Sequence, residues 1–277
     1  MSTTIVRVAL PTSILSVEHS LLQKSIRIHQ VARWTSIFGV YEVVFYKDAL
    51  TSPDEFREHV RLIEKHWKYF FTPPYLRKLL VPLSPELRYV GFLPPIRLEV
   101  FNVKKVPREG EERLGFVFKS PEGILKAYIG LPQVYEVVGE CKRINDVVLL
   151  KVVSVREQKV QCVEREVYRG PRVVFESSLK HAAEKYRRLS NYIVLTDRKG
   201  ELPQESSVKL MKDKDITLFF GSPKYDLFEL SEKEGFDISK LADYVWNTVP
   251  RQKVATVRTE EALIITLGIL NMFLKGI

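Results

Sequence analysis

The stretch "NTVPRQKVATVRTEEALIITLGILNMF", residues 247–273, joins a polar loop to an apolar segment with almost no polar face. A helix at a protein surface normally has an apolar stripe with charged residues opposite it. In this segment the apolar residues cover most of the predicted circumference: Ala262, Leu263, Ile264, Ile265, Leu267, Ile269, Leu270, Met272 and Phe273. We therefore expect a helix covered by its own domain and by a second subunit. Thr259 is expected to cap it, with Glu260 and Glu261 in its first turn.

Outward from this stretch, the chain alternates between strand-like and helix-like segments. Residues 4–11 read as a strand, and residues 16–38 read as a long helix that ends at Gly39. A second strand follows, and then a helix with Ser52 as its cap and two prolines after its end. The alternation resumes from residue 177 with "SSLKHAAEKYRR", "YIVLTD" and "ITLFFGS". This order predicts an α/β fold.

The pattern changes in the middle of the chain, where short alternating runs are separated by Gly and Pro turns. Short, evenly spaced strands are typical of a small antiparallel barrel. We therefore assign an α/β domain to residues 1–94 and 170–277 and an inserted β-barrel domain to residues 95–169.

Composition limits the partners and the compartment. The chain has 277 residues, with 43 Lys+Arg against 34 Asp+Glu and a net charge of +9, which favours a polyanionic partner or is simply a basic soluble surface. The longest apolar run, residues 262–274, falls short of the ~20 residues that cross a bilayer. Cys141 and Cys162 are too few for a disulfide framework or a zinc site, and no export signal is visible. We therefore expect a reducing, cytoplasmic setting and no membrane partner.

Several enzyme classes are excluded by missing motifs. The sequence contains no GxxxxGK[ST], no GxGxxG after the first strand and no GxSxG. Its histidines lack ligand spacing and are expected at the surface or in the core: His19, His29, His59, His66 and His181. These absences argue against ATPases, dinucleotide oxidoreductases, serine hydrolases and metal sites.

Three predicted strand ends finish in small or polar residues: "YIVLTDRKG", "LFFGSP" and "VWNTVPRQ". Ligands of open α/β sheets bind beyond the carboxyl ends of the strands. Ordinary turn chemistry would explain any one of these loops. Together they predict one small-molecule site bound largely through backbone groups, with Gly221 allowing a close approach of the main chain.

Two basic segments are candidate RNA-binding surfaces, and the alternative is a solvated basic face over core aromatics. Residues 61–78 interleave cations with Trp67, Tyr69, Phe70 and Tyr75, a combination that contacts phosphates and stacks on unpaired bases. A second cluster lies in residues 180–200. The candidate RNA-binding cations are Arg61, Lys65, Lys68, Arg77, Lys78, Lys185, Arg187 and Arg188.

The motifs "ARWTSIFGV", "TPPYLRKLLVP", "LRYVGFLPP", "LFFGSP", "NTVPRQ" and "TVRTEEA" together resemble the archaeal and eukaryotic branch of the SPOUT RNA methyltransferases. The resemblance spans nearly the whole chain, and "TVRTEEA" is its most specific motif. It implies a Rossmann-like α/β domain with a deep trefoil knot that holds S-adenosylmethionine, an inserted OB-like barrel, and a homodimer. The polar loop would then belong to the knot, and the apolar helix would pass through it.

Carried over to this chain, the resemblance assigns a role to particular residues. Arg33 would be the catalytic arginine, the alternative being a helix-surface arginine. The cofactor would be bound by Thr196 and Arg198 in the first loop, Gly221 in the second, and Asn247, Thr248, Pro250, Gln252 and Thr259 in the third.

The implied reaction is methylation of an RNA, expected to be ribosomal, at a ring nitrogen such as uridine N3 or at a ribose 2′-hydroxyl, without a metal. Many relatives have a His-His pair after the "LPP" segment, where this chain reads "IRLEVFN". Asp197, Ser222 and Arg251 also depart from the usual loop residues. The alternative is therefore an RNA-binding ribosome-assembly protein of the same fold without catalysis.

Overall fold

The structure is a computed structural model that describes residues 4–276. These residues form two compact units. The first comprises the chain up to Trp67, Glu86–Pro94 and the chain from Gly170 onward, and the second comprises Lys68–Pro85 and Pro95–Arg169. The elements in chain order are β1 (Ile5–Pro11), α1 (Leu21–Ile37), β2 (Glu42–Tyr46), α2 (Pro53–Phe71), α3 (Arg77–Leu80), β3 (Glu112–Lys119), β4 (Leu125–Tyr128), β5 (Tyr135–Val138), β6 (Asp146–Ser154), β7 (Lys159–Cys162), β8 (Arg172–Glu176), α4 (Leu179–Leu189), β9 (Tyr192–Glu201), α5 (Glu205–Lys209), β10 (Asp215–Phe220), α6 (Leu227–Lys233), β11 (Tyr244–Trp246) and α7 (Thr259–Leu274).

The first unit is built on a parallel sheet with the strand order β11-β9-β10-β1-β2-β8. Its central strands are nearly continuous apolar runs, and Val8, Val43 and Leu218 are completely buried. Such runs are expected where both faces of a parallel sheet are covered. The predicted α/β architecture is confirmed.

The first two helices show which local signals could be read from the sequence. Helix α1 begins at Leu21, so the predicted start at residue 16 is wrong. The reason is a capping box at Ser20, whose hydroxyl accepts a bond from the Gln23 amide while the Gln23 side chain accepts one from the Ser20 amide. The predicted end is confirmed by Gly39, whose φ is +64°. Ser52 caps α2 as predicted, since its hydroxyl accepts a bond of 3.2 Å from the Glu55 amide.

Helix α7 packs against α1, α5 and β10. Leu263, Leu267 and Leu270 are fully buried on its inner side, whereas Ile265 and Met272 are 37% and 62% exposed. Thr259 is the first helical residue and not the cap, so that prediction is wrong. The residue before the helix is Arg258, whose amide donates to the Glu261 carboxylate at 2.9 Å, and the Thr259 hydroxyl has another partner. Within residues 4–276, no helix is both long and apolar enough to cross a membrane.

The second unit contains a closed five-stranded barrel with the order β3-β4-β5-β7-β6, which confirms the predicted small barrel. Its pairs are antiparallel except β5 with β7. Tyr75, from the segment before the barrel, donates a hydrogen bond of 3.0 Å to the Leu114 carbonyl. Gly130 adjoins this ring, because a Cβ there would lie 2.4 Å from it. Residues 68–85, assigned to the α/β domain from the sequence, cluster with the barrel, and the domain boundaries themselves stay a prediction.

A disulfide joins Cys141, after β5, to Cys162 at the end of β7, with their Cα atoms 5.5 Å apart. From the sequence, two cysteines are too few for a disulfide framework. One bond is enough to connect two neighbouring parts of the barrel. Because disulfides persist mainly in oxidising compartments, this pairing gives no support to the reducing, cytoplasmic setting expected from the low cysteine count, and the compartment stays a prediction.

Candidate cofactor cavity and nucleic-acid surfaces

A cavity of about 360 Å³ opens at the carboxyl ends of β9, β10 and β11. Ligand sites of open α/β sheets occupy this position, and the volume lies within the usual range for small-molecule sites. Seven of the eight predicted cofactor residues line it: Thr196, Arg198, Gly221, Asn247, Thr248, Gln252 and Thr259. The structure does not bring Pro250 to the cavity, and its side chain is exposed.

The first wall is a bulge inside β9. Leu195 pairs with Val245 and Glu201 with Trp246, so residues 196–200 are extra residues opposite consecutive positions of β11. Gly200 makes the close approach possible, because a Cβ at this position would lie 2.7 Å from the Val245 carbonyl oxygen. The Asn247 side-chain amide fixes the bulge by donating to the Arg198 carbonyl at 2.8 Å.

The second and third walls are tied together at the start of α7. The Thr259 hydroxyl donates a hydrogen bond of 3.0 Å to the Gly221 carbonyl at the end of β10. Gly221 has little room for a side chain, since a Cβ would lie 3.0 Å from the Tyr225 carbonyl oxygen. In the third loop Arg251 has a φ of +51°, a conformation that favours glycine. Arg251, one of the residues that depart from the loop pattern of the resemblance, therefore places a side chain at a strained position.

The charged lining of the cavity is balanced: it has three carboxylates and three cations, namely Asp197, Asp226, Glu229, Arg198, Lys199 and Lys224. Burial raises the pKa of Asp197, the hydrogen bond from the Lys199 amide opposes this shift, and the negative charge of Asp226 adds to it. Asp226 caps α6 and also pairs with the Lys199 ammonium at 3.1 Å. A ligand with hydroxyl groups or a positive charge would find acceptors here.

A buried ion network holds the first turn of α7 against α1. The Arg27 guanidinium, on α1, pairs with Glu260 on α7, and its Nε donates to Glu18 at 3.1 Å. The side chains of Arg27 and Glu260 are only 7% and 4% exposed. Arg258 reaches the same Glu18 carboxylate at 3.6 Å. The motif "TVRTEEA" therefore contributes two charged groups that fix the cavity wall from outside.

Arg33 lies outside the cavity lining, on an exposed position of α1. One turn earlier on the same helix, the His29 ring donates from Nε2 to the Pro94 carbonyl at 2.7 Å. Burial lowers the pKa of His29, the bond to Pro94 opposes this shift, and the positive charge of Arg33 adds to it. A histidine is thus bound to the "LPP" segment after all, but it comes from α1 and precedes the segment in sequence.

The predicted RNA-binding cations differ in whether they already form ion pairs within the protein. Arg61 and Lys65 both form ion pairs with Glu86. The Lys185 ammonium forms one with the Glu176 carboxylate at 2.6 Å. Arg187 holds the end of α4 by bonds to Asp243 and to three carbonyl groups, so its role in the fold is structural. The side chains of Lys68, Lys78 and Arg188 are exposed. RNA binding by all of these residues stays a prediction.

The aromatic part of that prediction needs a correction. Trp67 and Phe70 are 5% and 3% exposed, and the Trp67 indole donates to the Pro171 carbonyl at 2.8 Å. Neither ring can stack on a base, because α2 turns this side towards the interior. Arg77 lies over the Tyr69 ring at 4.5 Å, which occupies one of the remaining aromatic faces.

Sequence reasoning missed several residues that build the site. Asp226 and Glu229 form a capping box at α6, and the D-x-x-E spacing after "GSPKY" was a visible signal for it. Arg27 and Glu18 gave no such signal, because their pairing with α7 joins segments more than 230 residues apart in the sequence.

The sheet, the inserted barrel and the cavity at the strand ends define an α/β protein with a ligand site at its carboxyl edge. The sequence matches, over residues 5–270, the family described as "Putative RNA methyltransferase". The chain belongs to this family of RNA methyltransferases, and the resemblance to the SPOUT class is confirmed.

Individual relatives are similar over most of the chain. An uncharacterized protein of Halobacterium salinarum is 26% identical over 290 aligned residues, which cover 96% of this chain and 98% of the relative. An uncharacterized protein of Haloarcula marismortui has the same identity and coverage. The 28S rRNA (uridine-N(3))-methyltransferase of Drosophila melanogaster is 26% identical over 95% of this chain and 61% of its own length.

Replacing Arg27 by methionine should destabilise the fold strongly, because two buried carboxylates would lose their shared cation. We expect a loss of about 3–5 kcal/mol in the free energy of unfolding, measured by urea denaturation. The matched control is Arg57→Met, which breaks a surface pair with Asp54 and should have an effect too small to resolve. Equal effects of the two substitutions would contradict the assigned role of Arg27.

Proposed function

We propose that this chain uses S-adenosylmethionine to methylate an RNA, with the cofactor in the cavity at the ends of β9, β10 and β11. The observation that carries the proposal is the convergence of seven of the eight predicted cofactor residues on that cavity in a chain of this family. When bound, the cofactor supplies an electrophilic methyl group to a nucleophilic RNA atom.

The residues of the cavity fit such a group. Its volume of about 360 Å³ suits a nucleoside-sized ligand, and three main-chain segments line it with polar backbone groups. Asp197, Asp226 and Glu229 offer acceptors for ribose hydroxyls and for a positively charged amino group. Both Asp226 oxygens already have a partner: Oδ1 accepts from the Glu229 amide at 2.8 Å and Oδ2 pairs with the Lys199 ammonium at 3.1 Å, so a ligand would use the remaining lone pairs.

We propose in addition that the cofactor loops form a trefoil knot. Strand β11 lies at the edge of the sheet, yet α7, which follows it, packs beside α1, α5 and β10. The connecting loop must therefore return across the ends of β9 and β10. Together with family membership, this return supports a threaded chain, although knots are rare among protein folds.

The substrate proposed here is ribosomal RNA. The Drosophila relative is named as a methyltransferase of uridine N3 in 28S rRNA. For this chain the acceptor atom is a ring nitrogen such as uridine N3 or a ribose 2′-oxygen, and both need a proton to leave as the methyl group arrives. The second candidate, a non-catalytic RNA-binding assembly protein, is favoured by one observation: no histidine pair follows the "LPP" segment.

We propose that the functional unit is a homodimer formed through α1 and α7. These helices pack on each other, and both have apolar side chains exposed to solvent. On α1 the exposed apolar residues share one face with Arg33, because their spacing follows the helical repeat. The exposed apolar residues are Leu22, Ile26 and Ile37 on α1 and Ile265 and Met272 on α7.

This arrangement gives Arg33 its proposed role. Arg33 is absent from the lining of the cavity in its own chain but lies on the face proposed for the dimer. It would then act next to the cavity of the partner subunit, where a guanidinium can stabilise negative charge that develops on the acceptor. The dimer and the catalytic role of Arg33 therefore depend on each other.

Calorimetric titration with S-adenosylmethionine and S-adenosylhomocysteine tests the cofactor site. We expect micromolar binding near one site per chain. Thr256→Trp should weaken binding about tenfold or more by filling the cavity, whereas Val254→Trp, in the same loop but outside the lining, should leave it unchanged. An absence of binding by the unsubstituted protein, with and without RNA, would leave the non-catalytic candidate.

Sedimentation at micromolar concentration tests the dimer, which should have twice the chain mass of 32.2 kDa. Ile265→Glu should produce monomers because it buries a charge in the proposed interface. Leu189→Glu, which alters another exposed apolar residue, at the end of α4, should sediment as the unsubstituted protein. A monomer at all concentrations would refute the role assigned to α7.

A further inference from the structure

Three aromatic rings lie together on the outer face of the barrel. In β3, Phe116 and Phe118 flank Val117, which is completely buried in the barrel core. In β4, Tyr128 follows Ala127, which is also in the core. Because side chains alternate between the two faces of a strand, these rings point outward. All three are only half-buried.

The rings form a row of nearly parallel planes. Phe118 lies in the middle, with its centroid 4.9 Å from that of Tyr128 and 6.4 Å from that of Phe116. The angles between the planes are 16° and 15°. Such a row leaves one face of Phe116 and one face of Tyr128 without a ring partner in the row. A planar ring system of similar size could continue the stack at either end.

The charges around this row favour an anionic partner. The unit that contains the barrel has 17 Lys+Arg against 11 Asp+Glu, so it carries six of the nine net positive charges of the chain. In the strand register, Lys126 of β4 lies opposite Phe118 of β3. Lys119 is the last residue of β3. Two acidic residues lie near Lys126: Glu136, which is opposite it on β5, and Glu122, in the turn between β3 and β4.

We propose that this row, which we call the aromatic row (Phe116, Phe118 and Tyr128), binds a single-stranded segment of RNA. Unpaired bases stack on the outer faces of Phe116 and Tyr128, and Lys126 and Lys119 contact the phosphates. Barrels of this size commonly bind single strands through outward aromatic rings combined with cations. The proposal rests on the proposed function only in taking RNA as the substrate class.

The test measures the affinity of a fluorescently labelled, single-stranded oligouridylate by anisotropy at constant low salt. The variant Phe116→Leu with Tyr128→Leu keeps the apolar bulk but removes the stacking faces. We expect its affinity to fall by about five- to 150-fold for each base that loses its stacking ring, and two rings are removed. The matched control is Phe116→Tyr with Tyr128→Phe, which keeps both rings and should bind as the unsubstituted protein does. Circular dichroism checks that both variants are folded.

Unchanged affinity of the leucine variant would overturn the proposal. So would a shift in its sedimentation with no loss of RNA affinity, because the row would then be a contact between copies of the chain.

Titration of the leucine variant with S-adenosylmethionine separates this proposal from the proposed function. The cofactor should bind normally, since the row lies in the barrel. If the unsubstituted protein binds oligouridylate through the row but binds no cofactor, the proposed function fails and the aromatic row stands.

Discussion

The cavity depends on how the first turn of α7 is anchored. Two contacts of different kinds hold it: the hydrogen bond from Thr259 to the Gly221 carbonyl, and the buried pair between Glu260 and Arg27. The first joins the helix to the loop after β10, and the second joins it to α1. A buried ion pair adds little net stability by itself, but loss of one partner is costly, so it specifies one position of the helix strongly. The loop before α7 then has both ends fixed, one at β11 and the other at this turn.

The same anchoring explains why an apolar helix follows a polar loop. The loop has to present backbone and small polar groups to the cavity, whereas the helix must pack against α1, α5 and β10 on its inner side. The remaining apolar side chains on α7 and α1 stay exposed in one chain and form the face proposed for the dimer. The cofactor site and the subunit contact would thus be two sides of one helix.

Local signals in the sequence were sufficient for much of the fold. The alternation of segments predicted the parallel sheet, Gly39 marked the end of α1, and the short runs in the middle predicted the barrel. Local signals failed where two candidates competed. Ser20 and not residue 16 starts α1, because only Ser20 has a glutamine three residues later that completes the box. Thr259 resembles a cap, but its hydroxyl is used by Gly221.

Other features depend on contacts that no local pattern encodes. The positions of Arg27 and Glu18 opposite α7, the burial of Trp67 and the pairing of Cys141 with Cys162 all require the folded chain. The three cofactor loops were found because the carboxyl ends of parallel strands always meet at one edge. Pro250 lies outside the cavity although Val249 and Gln252 line it, because it belongs to a turn with Arg251, whose φ is +51°.

The most direct measurement of the central claim is transfer of a labelled methyl group from S-adenosylmethionine to ribosomal RNA, followed by mass spectrometry of the nucleosides. Catalysis predicts one methylated nucleoside, formed in proportion to enzyme and lost on Arg33→Ala, with cofactor binding retained. Absence of any methylated nucleoside from a protein that binds both cofactor and RNA would contradict catalysis.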